Sequence, residues 1–194
     1  MDLALEGRVA LVTGGSSGLG LASATALARE GARVAIASRS RENLERGATA
    51  IHAACGRQVE TVIADVSELE SIPALVENVR RQLGPIDILV ANAGGPPPGR
   101  LSDLPREAFE LAYRLTLMSS VELCRAVLPD MIAKGNGRIV AITSTTVRQP
   151  IDGMILSNTF RAGLTGFLKS LSREVGPTGI TVNSVAPGYV ETER

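Results

Sequence analysis

The chain has 194 residues, 44% of them hydrophobic and 21% charged, which is enough apolar material for one domain with a sizeable core and too much for a disordered chain. Twenty Lys and Arg against twenty Asp and Glu leave no net charge, so no long-range field recruits nucleic acid or an anionic membrane. One histidine, His52, and two distant cysteines, Cys55 and Cys124, exclude a zinc site and a C-x-x-C redox pair, and no metal is expected.

The N-terminal stretch carries acids at Asp2 and Glu6 and no basic leader, and nowhere do eighteen apolar residues run together; a cytoplasmic protein without a membrane span is expected. A strand is predicted over residues 8–13, then a glycine-rich turn and a helix over 19–30. Strand 33–38 and helix 41–54 follow, then strand 58–64 and helix 69–83. Strand 86–91 runs into GGPPPG, residues 94–99, whose prolines make a stiff loop. A long helix is predicted over 106–133, with Pro105 suited to its first turn. Its apolar seam is Ala108, Leu111, Leu115, Met118, Val121, Leu128 and Met131, at three- and four-residue steps or their multiples. Strand 137–143, helix 153–175 and strand 180–186 complete the chain. The strands are rich in Val and Ile and nearly uncharged, as expected of strands covered on both faces. Strand and helix alternate throughout, so the predicted fold class is α/β: a Rossmann-type doubly wound parallel sheet in a three-layer αβα arrangement, one dinucleotide-binding domain over 1–194.

Ligands bind such folds at the carboxyl ends of the strands. After the first strand stands TGGSSGLG, residues 13–20, with glycines at Gly14, Gly18 and Gly20. A turn there brings backbone N–H groups and a helix N-terminus against a pyrophosphate, making Gly14, Ser16, Ser17, Gly18, Leu19 and Gly20 candidate cofactor residues. A plain turn would use the same glycines; the position between a buried strand and a helix favours nucleotide binding. The second strand ends in Ala37-Ser38-Arg39-Ser40. An NAD site wants a carboxylate there, whereas a 2′-phosphate wants a cation, and a guanidinium grips phosphate through a planar fork. Ser38 and Arg39 therefore favour NADP over NAD, the alternative being that Arg39 is a solvated loop residue.

Over essentially its whole length the chain resembles the short-chain dehydrogenase/reductase family. The resemblance is carried by TGGSSGLG, by Asp65-Val66 after the third strand, by ANAG at residues 91–94, by Thr143-Ser144 after the fifth strand, and by VNSVAPGYVET at 182–192. It implies that Asp65 and Val66 hold the adenine, that Asn92, Ala93 and Gly94 run along the ribose, and that Pro187, Gly188, Val190 and Thr192 position the nicotinamide carboxamide. It also implies that Ser144 is the catalytic serine that hydrogen-bonds the substrate oxygen.

The departures from the family pattern are local. Where the family has its tyrosine and lysine, thirteen and seventeen residues after the serine, stand Ser157 and Arg161; where it has a structural asparagine stands Thr116. A serine hydroxyl is a far weaker acid than a phenol near pKa ~10. Arg161 shares a helix face with Ser157 and is expected to reach the cofactor ribose and polarise an oxyanion, but it cannot release a proton. Ser144, Ser157 and Arg161 are the candidate catalytic residues, with Tyr113 and Tyr189 as remote alternative phenols. The expected function is an NADP-dependent oxidoreductase acting on a small carbonyl or alcohol substrate with an altered proton path. Within the family it is most similar to 3-oxoacyl-carrier-protein-reductase-like members with a degenerate catalytic set. The alternative is a catalytically silent dinucleotide-binding sensor or partner subunit. The apolar faces around 111–131 and 160–171 suggest a homodimer or homotetramer, and the lid and last strand of the family are not present in this sequence.

Overall fold

In the computed structural model, which describes residues 3–192, strands and helices alternate as the pattern predicts; Met1, Asp2, Glu193 and Arg194 lie outside the described residues. Strand β1 (Val9–Thr13) leads to α1 (Gly18–Arg29), β2 (Arg33–Ser38) to α2 (Arg41–Cys55), and β3 (Glu60–Ile63) to α3 (Ile72–Leu83). Strand β4 (Ile88–Ala91) is followed by α4 (Arg106–Ala112) and α5 (Ser119–Lys134), β5 (Gly137–Ile142) by α6 (Ile155–Val175), and β6 (Ile180–Val185) comes last. The six strands form one parallel sheet in the order β3-β2-β1-β4-β5-β6. Sheet growth reverses at β1, with β2 on one side and β4 on the other, and the connections leaving their carboxyl ends part to opposite faces.

Side chains alternate across each strand, so neighbours in β1 enter different cores. Val9 and Leu11 pack with α3, α5 and α6, while Ala10 and Val12 pack with α1 and α2, which gives the three layers. Every residue of β1 and β4 is buried. The expectation that all strands are covered on both faces fails at the two ends of the sheet. In β3 only Val62 is buried, and β6 exposes Thr181, Asn183, Ser184 and Val185. Among the described residues both stand at the ends of the sheet, and β3 is shorter than predicted, four residues against 58–64. Elsewhere boundaries move by one or two residues, and the helix predicted over 69–83 opens with a 3₁₀ turn, Leu69–Ser71.

The long helix predicted over 106–133 is the larger correction. Between α4 and α5 lies a π-helical turn, Tyr113–Met118. There the Ser119 amide donates to the Arg114 carbonyl, five residues back, while the Ser119 hydroxyl donates to the Leu115 carbonyl at 2.6 Å. A widened turn shifts the helical register. Of the predicted seam only Met131 is fully buried: Leu111 is 48% exposed, and Ala108, Leu115, Met118, Val121 and Leu128 are only half covered. The buried face is carried by Ala112, Thr116, Leu123, Cys124, Val127 and Met131.

At the amino ends of the strands, Asp87 is buried and binds three ways. Its Oδ2 accepts the Val9 amide at 2.9 Å, its Oδ1 accepts Lys134 Nζ at 2.8 Å, and Arg8 lies 3.8 Å away. Burial pushes its pKa up, but the Lys134 and Val9 hydrogen bonds and the charges of Lys134 and Arg8 outweigh it, leaving the carboxyl below its ordinary value. Among the described residues no helix is long and apolar enough to cross a membrane, and no group of His, Cys, Asp and Glu could hold a metal ion.

Candidate active site

The crevice at the switch point is closed at its base by a polar staple between β1 and β4. Thr13, fully buried, donates its hydroxyl to the Asn92 carbonyl at 2.8 Å and accepts the Asn92 amide at 3.0 Å. The Asn92 side-chain amide donates to the Gly14 carbonyl at 3.3 Å. Gly14 sits at φ +57, and a Cβ there would lie 2.7 Å from Asn92 Nδ2. A Cβ on Gly20 would collide with the Gly14 carbonyl oxygen. Only glycine permits this turn, so the spacing seen in the sequence has a steric cause. Ser16 is buried and Ser17 exposed at the helix start, with Leu19 half-covered beyond them. Ser17 contributes no side-chain cap to α1, and the first turn holds no acid. Uncapped amides and the positive end of the helix dipole make this N-terminus suited to a phosphate.

At the end of β2, the Ser38 hydroxyl donates to the Ser40 carbonyl at 3.4 Å, and Ser40 caps α2 by accepting the Asn43 amide at 3.2 Å. Arg39 projects into solvent, with its Nη1 3.8 Å from Asp65 Oδ2. The other Asp65 oxygen accepts both the amide and the hydroxyl of Ser67, at 2.9 and 2.7 Å. Val66 packs its side chain against the core beneath. After β4, Asn92 and Ala93 are half-buried and Gly94 is exposed.

Ser144 follows β5 in extended backbone and opens a 3₁₀ turn, its Oγ accepting the Thr146 amide at 3.3 Å. That contact uses an oxygen lone pair and leaves the O–H to donate. Thr146 and Ser157 are both buried, with their hydroxyl oxygens 3.3 Å apart. Arg161, one turn further along α6, is also buried; its Nη1 donates to the carbonyls of Ile142 at 2.9 Å and Thr143 at 3.2 Å. The guanidinium thus holds the end of β5, immediately before Ser144. Thr116 lies in the π-helical turn, which packs against α6, and its hydroxyl is buried with no hydrogen-bond partner among the described residues. Tyr113 packs against Phe160 with ring centroids 6.1 Å apart and the rings tilted by 54°, and Tyr189 is 99% exposed.

The segment after β6 returns to the same crevice. Thr143 binds the Val185 carbonyl through its amide and its hydroxyl, at 2.8 and 2.9 Å, and the Thr145 amide donates to the Pro187 carbonyl at 3.0 Å. Gly188 faces the Thr145 methyl, Val190 is exposed, and the Thr192 methyl lies 3.6 Å from where a side chain on Gly18 would begin. The glycine loop thus meets Asn92 and Thr192, and the turn that Ser144 opens meets Pro187, while Arg39 and Asp65 meet at another strand end. Sequence reasoning assigned no role to Thr13, Thr143 or Thr146. Each lies inside or beside a quoted motif, yet each acts through a partner across the fold.

A family model described as short chain dehydrogenase matches residues 8–194. The chain is 40% identical to the 3-oxoacyl-[acyl-carrier-protein] reductase FabG of Escherichia coli K12 over 188 residues, covering 97% of this chain and 75% of that protein. Among solved structures, L-sorbose reductase from Gluconobacter frateurii, complexed with NADPH and L-sorbose, superposes with a TM-score of 0.95 at 36% identity, covering all of this chain and 73% of that one. An NADPH-bound short-chain oxidoreductase from Pseudomonas aeruginosa PAO1, described as containing an atypical catalytic center, superposes with a TM-score of 0.90 at 33% identity, over 96% of this chain and 73% of that one.

Proposed function

The chain belongs to the short-chain dehydrogenase family, and from that premise we propose that it is an NADP-dependent oxidoreductase, acting between a small carbonyl and its alcohol, whose proton does not come from a side-chain phenol. The fit to a dinucleotide rests on this chain's own residues: the glycine cradle that a Cβ at Gly14 or Gly20 would fill, and the uncapped start of α1. Gly14, Ser16, Ser17, Gly18, Leu19 and Gly20 would hold the pyrophosphate, and Asn92, Ala93 and Gly94 the ribose beside it. Ser38 and Arg39 would take the 2′-phosphate, Asp65 and Val66 the adenine, and Pro187, Gly188, Val190 and Thr192 the nicotinamide end. The chemistry supplied there by bound NADPH is a hydride for the carbonyl carbon.

Ser144 polarises the substrate oxygen by donating its hydroxyl, which the Thr146 amide orients. Arg161 keeps the end of β5 in place through the Ile142 and Thr143 carbonyls and brings positive charge to that strand end. Ser157 pairs with Thr146 and braces the same turn. None of these groups titrates near neutrality, so the proton is drawn from solvent water. The observation that carries this reading is that Ser144, held by the Thr146 amide, and the paired hydroxyls of Thr146 and Ser157 stand where the family's acid would be.

A second reading, a dinucleotide-binding protein without turnover, is favoured by the burial of Ser157 and Arg161 and by their engagement with protein partners. The two separate in one assay, NADPH oxidation over a panel of carbonyls by wild type, Ser144→Ala and the Ser157→Tyr, Arg161→Lys pair. The enzyme reading expects wild-type turnover that falls about tenfold to a hundredfold in Ser144→Ala. Turnover appearing only in the double variant selects the silent reading. We also propose that copies pair through the half-exposed face bearing Leu111, Tyr113 and Phe160.

A further inference from the structure

Arg114 lies in the π-helical turn, yet its side chain serves a different part of the molecule. Its Nε donates to the carbonyl of Ser67 at 2.9 Å, across 47 residues of chain. Its Nη2 donates to Glu70 Oε2 at 3.2 Å and lies 3.7 Å from Glu68 Oε2. All three acceptors sit in the connection that follows Asp65. Ser67 in turn donates its amide and its hydroxyl to Asp65 Oδ1, and Asp65 Oδ2 faces Arg39 at 3.8 Å. A continuous chain of polar contacts thus runs from Arg114 through Ser67 and Asp65 to Arg39, the cation at the end of β2.

The parts of this chain differ in weight. The carboxylates of Glu68 and Glu70 are largely exposed, and such pairs contribute little. The Ser67 contact is partly buried and charge-assisted, from a planar donor of fixed direction. Ser67 is itself buried and makes two hydrogen bonds to one carboxylate oxygen, so a shift of its backbone would turn the Asp65 carboxylate. Loops between elements otherwise move easily.

We propose that Arg114 is a positioning residue for the adenine end of the cofactor: it clamps the 65–70 connection from the π-helical turn, and so sets where Asp65 and Arg39 meet the adenine and its 2′-phosphate. The proposal rests on the dinucleotide reading above. It also ties the adenine loop to the helical turn that carries Thr116.

The test uses two halves of the cofactor as separate probes. Adenosine 2′,5′-bisphosphate and nicotinamide mononucleotide are titrated into wild type and Arg114→Met, followed by NMR or calorimetry, with thermal midpoints measured in parallel. The expected result is an affinity for the bisphosphate lowered about fivefold to tenfold, the scale of one net hydrogen bond felt through the positioned carboxylate, with mononucleotide affinity unchanged. Equal loss for both probes would mean a merely structural role and would overturn the proposal, as would bisphosphate binding within about twofold of wild type. If wild type itself does not bind the bisphosphate, the cofactor reading fails instead. Arg114→Lys keeps charge and stem but removes the Nε donor, and it answers the same question should Arg114→Met not fold. Glu70→Gln leaves the Ser67 contact in place and is expected to bind both probes as wild type does; a loss as large as that of Arg114→Met would also overturn the proposal.

Discussion

The Thr13 staple predicts a clean separation of hydrogen bonding from volume. In Thr13→Val the side chain keeps its shape, but the Asn92 amide and carbonyl both lose the hydroxyl that now serves them at 3.0 and 2.8 Å. Thr13 is fully buried, so water cannot replace it without opening the strand ends. Leaving two such backbone groups unsatisfied costs about 1–3 kcal/mol each, and a destabilisation of about 2–6 kcal/mol is expected. For a chain of this size that is a fall in thermal midpoint of about 4–24 °C. Thr13→Ser makes the opposite change, keeping the hydroxyl and losing one buried methyl, for about 1 kcal/mol. Urea denaturation of both variants, alongside NADPH quench titration, checks the reasoning. The expected order of stability is wild type, then Ser, then Val, with cofactor affinity falling in the same order as Asn92 loosens. A Val variant as stable as the Ser variant would show that the hydroxyl bridge does not hold β1 to β4.

Two other consequences concern charge. Wild type is expected to bind NADPH more tightly than NADH, and Arg39→Ala to narrow that preference about tenfold, the scale of one charged hydrogen bond; titration of both cofactors tests it, and equal wild-type affinities would contradict the assignment. Asp87 has a folded pKa below its ordinary value, so the stability it contributes is fully present above the unfolded value, near pH ~4, and is lost as pH falls through the folded one. The stability gap between wild type and Asp87→Asn should therefore shrink on acidification from pH ~6 to ~3, and a gap that widened would refute the sign.

Much of this site is readable from the chain because it is local. The spacing of Gly14, Gly18 and Gly20 encodes a turn that only glycine can make, and the apolar runs encode strands buried between helices. The residue types at positions 157 and 161, serine and arginine, are likewise read directly from the chain. The seam from Leu111 to Leu128 misled for the opposite reason. The buried face keeps the same steps of three and four, through Ala112, Thr116, Ser120, Leu123, Val127 and Met131, but which stripe is covered is set by what packs on the helix, and an apolar pattern passes over buried Thr116, Ser119 and Ser120.

The amino-acid sequence by itself determined the order of elements, the glycine cradle and the residue types at the candidate positions 144, 157 and 161, since these follow from covalent spacing and local periodicity. What each of those residues touches was decided only by tertiary structure. Arg161 serves the Ile142 and Thr143 carbonyls, Ser157 faces Thr146, and Arg114 reaches back to Ser67. Such contacts depend on how the helices seat on the sheet and on the register of β5 beside β4 and β6, a sum of packing over the whole core that no local pattern contains.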